Sequence, residues 1–243
     1  MYIDRVYPRR TGWPAEAGQI ERRWNKLKET AEPVAKCTLA GAQFFIAREH
    51  GFTSWPKFAR HLEQLARATS PVAAFEAVAD GIVSGDVPTL KKLLGDHPDL
   101  VRERSTREHR STLLHYVSAN GVENFRQKTP KNIVEITKLL LDAGAEVDAE
   151  SAAYGGCTAL GLVATSIHPE QAGVQIPLLA TLLDRGARMD RPSTGGNGHA
   201  LINSCLANGQ PGAAEFLARL VNCSCEGATS IWPSLPTSLL DDA

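Results

Sequence analysis

Residues 140–148 read Leu-Leu-Asp-Ala-Gly-Ala-Glu-Val-Asp, and residues 182–190, which lie 42 positions later, read Leu-Leu-Asp-Arg-Gly-Ala-Arg-Met-Asp. Both copies share the pattern Leu-Leu-Asp-x-Gly-Ala-x-x-Asp, and each copy ends an apolar run with helical spacing. We expect Gly144 and Gly186 to take the left-handed conformation that ends a helix, because a residue without a Cβ adopts it at little cost. A phrase repeated at such an interval indicates stacked supersecondary units.

Each copy of the phrase follows a similar opening segment. The openings begin at Phe75, Thr112, Thr158 and His199, the first being degenerate. A second apolar stretch comes after each opening, as at Ile133, Ile136 and Leu140, where the spacing is that of one helix face. Each unit therefore reads as a short helix, a turn, a second helix, a glycine stop and a polar loop.

The unit 112–148 resembles an ankyrin repeat, whose signature is an opening Thr-Pro-Leu-His-x-Ala, a glycine-led turn and a closing Leu-Leu-x-x-Gly-Ala. The matching residues are Thr112, Leu114, His115, Ala119, Gly121, Leu140, Leu141, Gly144, Ala145 and Val147. The resemblance covers roughly residues 72–222. It implies an all-α fold, namely an ankyrin-like helical solenoid of about four repeats, with His115 bonding its own helix start and a neighbouring repeat.

Two insertions depart from this pattern. Residues 122–132 and 167–173 lengthen two of the units, and both stretches are polar and contain proline, so we expect loops there. We expect them at the edge opposite the loop tips, where they would make a second surface. The last unit also departs, with Val221-Asn222-Cys223 in place of the glycine phrase.

We interpret residues 1–70 as an N-terminal helical cap, because the ends of a solenoid must cover an apolar face. Residues 15–31 read as a charged helix, and residues 38–68 resemble a helical hairpin that precedes ankyrin repeats in some bacterial proteins. Thr38 and Ser54 are the expected helix caps of that hairpin. The repeats then occupy 71–222, and residues 223–243 form a tail without the repeat pattern.

The composition of the sequence disfavours secreted, disulfide-rich and membrane-spanning proteins. The net charge of the chain is −1, but residues 1–70 carry a net charge of +5 and residues 71–243 a net charge of −6. Five scattered cysteines give no secreted disulfide framework. No apolar run approaches the ~18 residues of a membrane span, and the N-terminus has no signal-peptide pattern. We expect a cytoplasmic monomer that does not contact membranes.

The sequence offers no catalytic constellation, so we expect no enzyme, no cofactor and no metal. His115 is interpreted as structural, and the Cys223-x-Cys225 pair lacks the second pair that zinc sites need. The glycines of 195–198 read as a loop between repeats. An alternative function is association with nucleic acid through the basic helices of 1–70, although the mixed charges of the second hairpin helix disfavour it.

The resemblance to ankyrin repeats implies binding of an unidentified protein partner. The loop tips would be 104–110, 150–154 and 191–197, and the inner helices would present their exposed side chains beside them. Aromatic rings and arginines are the side chains that most often carry binding energy at protein interfaces. The residues predicted to bind the partner are Arg107, His109, Arg110, Tyr116, Tyr154 and Arg191.

Overall fold

The structure, a computed structural model, describes residues 38–67, 69–190 and 198–225. The charged helix expected over 15–31 and the third loop tip at 191–197 with Arg191 lie outside these residues. Of the irregular tail expected over 223–243, residues 226–243 also lie outside them, whereas 223–225 belong to the helix Pro211–Cys225 and are not irregular. The chain is mostly helical, as the apolar periodicity predicts. It divides into two compact units, which span Met1–Arg67 and Ala68–Ala243.

The described part of the first unit is a helical hairpin of α1 (Leu39–Glu49) and α2 (Trp55–Leu65). Thr38 caps α1, because its side chain accepts a hydrogen bond of 3.1 Å from Gly41 N, as predicted. Ser54 precedes α2 but makes no capping hydrogen bond. Phe52 and Phe58 form the centre of the hairpin core, with ring centroids 5.4 Å apart.

The second unit contains helices of different lengths joined by short turns. These helices are α3 (Pro71–Ser84), α4 (Val87–Asp96), α5 (Ile133–Asp142), α6 (Ala159–Ala164), α7 (Ile167–Gln171), α8 (Gln175–Asp184), α9 (Gly198–Ala207) and α10 (Pro211–Cys225). Shorter 3₁₀ helices cover Pro98–Arg102, Leu113–Ser118, Asn124–Arg126 and Ala153–Gly155. Strands β1 (Glu150–Ser151) and β2 (Cys157–Thr158) pair in antiparallel fashion.

Consecutive helix pairs of the second unit pack against each other. Helix α3 contacts α4 and the 3₁₀ helix Leu113–Ser118, which in turn contacts α5 and α6. Helix α8 contacts both α5 and α6, and the final pair of α9 and α10 contacts α6 and α8. One continuous apolar core runs through these pairs, from Phe75 to Leu217. Burial of this core is the main favourable contribution to folding.

The repeated glycine phrase has the same conformation in both copies. Gly144 has a φ of 95° and Gly186 a φ of 89°, which confirms the predicted left-handed helix ends. In each copy the alanine after the glycine donates its N–H to the carbonyl oxygen five positions earlier, at 3.0 Å. Such a bond satisfies a carbonyl that the helix end would otherwise leave unpaired.

The two copies are also joined to each other by polar contacts. Arg185 Nη1 lies 2.6 Å from Asp142 Oδ1, and Arg188 N donates to Asp148 Oδ1 at 3.0 Å. Residues one or two positions apart in the repeated phrase therefore meet in space. Because both contacts are exposed, they contribute little to stability, and the apolar core between the helices holds the units together.

The opening of the unit at 112 is a short helix, as predicted, and it has 3₁₀ geometry. It ends at Ala119, which has a φ of 49°. Ser118 Oγ donates to the His115 carbonyl oxygen at 2.6 Å and accepts from Asn120 N at 3.2 Å, and these side-chain bonds close the helix early.

The first insertion, 122–132, contains the 3₁₀ helix Asn124–Arg126 and otherwise has no regular helix or strand, as predicted. The prediction of a loop over 167–173 is wrong, because Ile167–Gln171 forms the short helix α7. Pro169 lies in the first turn of α7, where it needs no hydrogen-bond partner for its nitrogen, and it is buried. Gly173, with a φ of 71°, follows the end of this helix.

Candidate functional site

The hairpin between β1 and β2 presents an exposed aromatic ring. Tyr154 lies in its 3₁₀ turn with a φ of 52°, and the ring is 74% exposed. A left-handed conformation costs a residue with a side chain roughly 1–2 kcal/mol, so the surrounding turn holds Tyr154 in a strained state. The glycines that follow, Gly155 and Gly156, also have positive φ angles and allow this tight turn. Strain of this kind is often found at binding sites.

Tyr154 stands over the start of a groove. Its hydroxyl donates to Asn120 Oδ1 at 2.9 Å. Asn120 Nδ2 lies 3.4 Å from Thr165 Oγ1 and 3.5 Å from the Leu162 carbonyl oxygen, so the hairpin is connected to α6. The turn therefore holds the backbone of Tyr154, and the hydrogen bond of its hydroxyl holds the ring.

The groove has a volume of about 720 Å³. Its walls come from the β1–β2 hairpin, α6, α7, α9 and the insertion 122–132. The lining residues are Asn120, Gln127, Tyr154, Cys157, Gly161, Leu162, Thr165, Ser166, Ile167, His168, Ala200, Leu201, Ser204 and Asn208. A volume between about 300 and 1,000 Å³ is typical of sites that hold a compact ligand.

The two insertions and the hairpin tip share this groove. Gln127 belongs to the first insertion, Ile167 and His168 belong to the second, and all three line the groove together with Tyr154. The expectation that the insertions lie opposite the loop tips and make a second surface is therefore wrong. Because the insertions project toward the hairpin side, they deepen one site instead of making two.

The groove carries little formal charge. Among the described residues that line it, none is an aspartate, glutamate, lysine or arginine. Burial, and then the charge of Glu150, raise the pKa of the Cys157 thiol above its ordinary value, so this thiol stays protonated at neutral pH. Ser166 is buried, and its Oγ has no hydrogen-bond partner in the described part of the chain.

A second loop stands beside the hairpin. Arg104 Nη1 donates to the carbonyl oxygen of Glu150 at 2.6 Å and to that of Arg110 at 3.0 Å, and Ala152 N donates to the His109 carbonyl oxygen at 2.6 Å. Arg110 is exposed and has a φ of 50°. Two exposed residues of the predicted set, Arg110 and Tyr154, thus lie in neighbouring loops that hold each other in place.

The expectation that Arg107 and Tyr116 face solvent is wrong. Arg107 is only 3% exposed and Tyr116 is completely buried. Arg107 pairs through Nη1 with Glu76 Oε1, and its Nε lies 2.6 Å from Glu123 Oε1. The Tyr116 hydroxyl donates to the same Glu123 oxygen at 3.3 Å. Both side chains are directed inward because two buried carboxylates require partners there.

Arg126 completes this buried ion cluster, which we define as Glu76, Arg107, Glu123 and Arg126. Arg126 Nη1 lies 2.6 Å from Glu76 Oε2, and its Nη2 lies 2.6 Å from Asp80 Oδ1. The two negative and two positive charges of the cluster balance. It joins α3, the loop before the 3₁₀ helix Leu113–Ser118, and the first insertion.

The cluster keeps its carboxylates ionised. Burial by itself would raise the pKa of Glu123, but the hydrogen bond from His109 and the charges of Arg107 and Arg126 lower it to about 2. Burial also acts to raise the pKa of Glu76, and Arg107 and Arg126 lower it below its ordinary value. His109 lies at the edge of the cluster, with Nε2 3.4 Å from Glu123 Oε1 and a side chain that is mostly buried.

His115 has the bonding that the resemblance implies for it. Its Nδ1 accepts a hydrogen bond of 3.1 Å from Thr112 N, and its Nε2 lies 3.2 Å from the Cys157 carbonyl oxygen, to which it donates. The ring therefore bridges the openings of two units. Burial lowers the pKa of His115 to about 4, so the imidazole is neutral at pH 7.

Of the six predicted residues, Arg110 and Tyr154 are exposed, His109 is mostly covered, Arg107 and Tyr116 are buried, and Arg191 lies outside the described residues. Sequence reasoning missed groove residues such as Asn120, Ser166 and Asn208. A local signal exists for Asn120, since Asn120-Gly121 directly follows an opening segment, where a turn must expose polar side chains.

No family model matches the chain, and no curated protein matches it either. Within the described ranges, no three side chains of histidine, cysteine, aspartate or glutamate are grouped so that they could hold a metal ion. None of the helices described is long and apolar enough to cross a membrane.

Proposed function

We propose that this chain is a non-enzymatic protein-interaction module, built as an ankyrin-like helical solenoid of about four repeats. The stacked helix pairs, the matching left-handed ends at Gly144 and Gly186, and the His115 bridge support the solenoid. In such an architecture each unit contacts its neighbours, and the row of loops and the groove beside it serve as the binding surface.

The observation that carries this proposal is the exposed and strained Tyr154, bonded to Asn120 beside the groove. A tyrosine held in one orientation loses little conformational entropy when it binds, so it contributes more of its contact energy to affinity. Aromatic residues of this kind are frequent among the few positions that dominate interface energy. The partner would contact this ring and the groove beside it.

Arg110 is the second proposed contact residue. It is exposed, its backbone is fixed by Arg104, and its loop is bonded to the hairpin of Tyr154. Arginine and tyrosine that are fixed in neighbouring loops form a small rigid surface. The buried Arg107 and Tyr116 act differently, because they hold the loop and its supporting helix in position from inside.

The proposal is tested by affinity capture with the tagged chain from a lysate of its own source cells. We expect the unchanged chain to retain a saturable protein partner and Tyr154→Ala to lose it. Phe44→Ala is the matched control, since this ring is also exposed but belongs to the first unit. Circular dichroism of all variants checks that they remain folded.

If no saturable partner is captured, or if Tyr154→Ala and Arg110→Glu retain the partner as well as the unchanged chain does, the proposed function is wrong. Photo-crosslinking from position 152, an exposed position of the same hairpin that leaves Tyr154 in place, provides an independent measurement. A crosslink to the captured partner supports the proposed surface, and its absence in a complex that still forms contradicts it.

A further inference from the structure

The charge of the groove limits what it can bind. Its lining residues, so far as the structure describes them, offer no carboxylate, ammonium or guanidinium group. A charged ligand group placed there would lose water without gaining an opposite charge, and desolvation of an unpaired ion is strongly unfavourable. His168 contributes the one imidazole of the described lining. An uncharged segment is therefore favoured over a strongly acidic or basic one.

Several hydroxyl and amide donors that line the groove are already bonded within the chain, so those side chains offer a ligand mainly acceptors. Ser204 Oγ donates to the Ala200 carbonyl oxygen, and Thr165 Oγ1 donates to that of Gly161, so both hydroxyl protons are engaged. The side-chain amides are also partly engaged. Asn208 Nδ2 donates to the Ser204 carbonyl oxygen at 2.8 Å, and Gln127 Nε2 donates to that of Val122 at 3.0 Å. Their amide oxygens remain to accept hydrogen bonds from a ligand.

Acceptors of this kind select the conformation of a peptide ligand. In a helix the backbone N–H groups beyond about the first four are bonded internally and cannot donate outward. In an extended segment alternate N–H groups point to the same side and remain available. An acceptor-lined groove therefore favours an extended peptide over a helical one.

The apolar part of the groove suits one or two aliphatic side chains. Leu162 and Leu201 form part of its wall, Ile167 is an exposed aliphatic residue beside them, and the Tyr154 ring borders them. Ser166 also lines the groove, but its Oγ is covered and has no partner among the described residues.

We infer that the groove takes an extended, uncharged peptide segment of the partner protein, which donates backbone N–H groups to Gln127 and Asn208 and places an aliphatic side chain against Leu162 and Leu201. This inference rests on the proposed function and specifies the chemistry of its partner. A segment rich in serine, threonine, glutamine, leucine or isoleucine fits these contacts.

The test begins with a phage library of random octapeptides, selected on the unchanged full chain and depleted on Tyr154→Ala. We expect the enriched sequences to contain fewer charged residues than the input library. The strongest peptide is then synthesised with blocked ends, and its affinity is measured by fluorescence polarisation, together with versions that carry glutamate or lysine at one position.

Two further measurements examine the contacts directly. Methylation of single backbone nitrogens should weaken binding roughly tenfold at alternate positions and little at the positions between, as expected for an extended segment with one face of N–H donors. Ser204→Glu, which places a carboxylate in the groove, should reverse the preference, so that the lysine version binds better than the neutral peptide.

Any of three results would overturn this inference. Charged octapeptides could be the main enriched class, N-methylation could leave the affinity unchanged at every position, or the library could yield no binder. None of these results affects the proposed function if the lysate partner is still lost in Tyr154→Ala. If neither partner nor peptide depends on Tyr154, both proposals are wrong.

Discussion

The Tyr154 hydroxyl donates to Asn120 Oδ1 at 2.9 Å, across 34 positions of sequence. This bond links the tip of the β1–β2 hairpin to the turn that follows the 3₁₀ helix Leu113–Ser118. The backbone of Tyr154 is at the same time in the left-handed region, with a φ of 52°. A single side-chain bond and a glycine-rich turn therefore hold an exposed ring in a conformation that the residue by itself disfavours.

Replacement of Tyr154 by glycine and by alanine separates backbone strain from side-chain contacts. Both variants lack the ring and its bond to Asn120, but only alanine retains a Cβ in the left-handed region. We expect Tyr154→Gly to be more stable than Tyr154→Ala by about 1 kcal/mol, because the strain is relieved. Urea unfolding measures the difference. Equal stabilities, or a more stable alanine variant, would show that this position is not strained.

Local features of the fold could be predicted from the sequence. The left-handed ends at Gly144 and Gly186 and the cap at Thr38 depend on residues within a few positions of each other. Each of these motifs satisfies backbone groups with nearby partners, so the residue types alone are informative. The second helix of each unit could also be predicted, because burial of one helix face leaves a periodic apolar pattern in the sequence.

The positions of the charged and aromatic side chains could not be predicted in the same way. Arg107 and Tyr116 are residue types that are common at protein interfaces. The ion pair with Glu76, which lies 31 positions earlier in the sequence, instead keeps Arg107 buried. The sequence predicts a polar loop over the insertion 122–132, but the structure buries its Glu123 and Arg126. Polarity predicts exposure only where no complementary buried charge exists, and that depends on tertiary contacts.

The buried ion cluster provides a direct comparison between a buried and an exposed ion pair. Arg126 approaches Glu76, and Arg219 approaches Glu215, with the same N–O distance of 2.6 Å. We expect Arg126→Met to lower the free energy of unfolding by about 3–5 kcal/mol, because the buried Glu76 and Glu123 would then share Arg107 as their one guanidinium partner and the cluster would carry an unbalanced negative charge. We expect Arg219→Met to lower it by at most about 0.5 kcal/mol, since that pair is exposed. Chemical denaturation measures both, and similar losses would contradict the assignment of a buried cluster.

His115 makes the stability of the chain depend on pH. Its pKa in the folded chain is about 4, below the ordinary value of 6.5, because burial disfavours the charged ring. The unfolded chain therefore binds a proton first as the pH falls, so the stability contributed by neutral His115 is fully present above pH 6.5 and is lost between pH 6.5 and pH 4. We expect His115→Asn to be less stable at pH 7 and to show a smaller fall over this interval. Urea unfolding across the interval checks the prediction, and parallel curves for the two proteins would contradict it.

Two buried serines should respond to alanine substitution in opposite directions. Ser118 Oγ donates to the His115 carbonyl oxygen at 2.6 Å, whereas Ser166 Oγ has no partner in the described part of the chain. Ser118→Ala should lower the free energy of unfolding by about 1 kcal/mol, because a made hydrogen bond is lost. Ser166→Ala should raise it by up to about 1 kcal/mol, because an unpaired buried hydroxyl is removed. Thermal and urea unfolding of the ligand-free chain measure both changes. A loss of stability in Ser166→Ala equal to that in Ser118→Ala would show that the Ser166 hydroxyl has a hydrogen-bond partner in the folded chain.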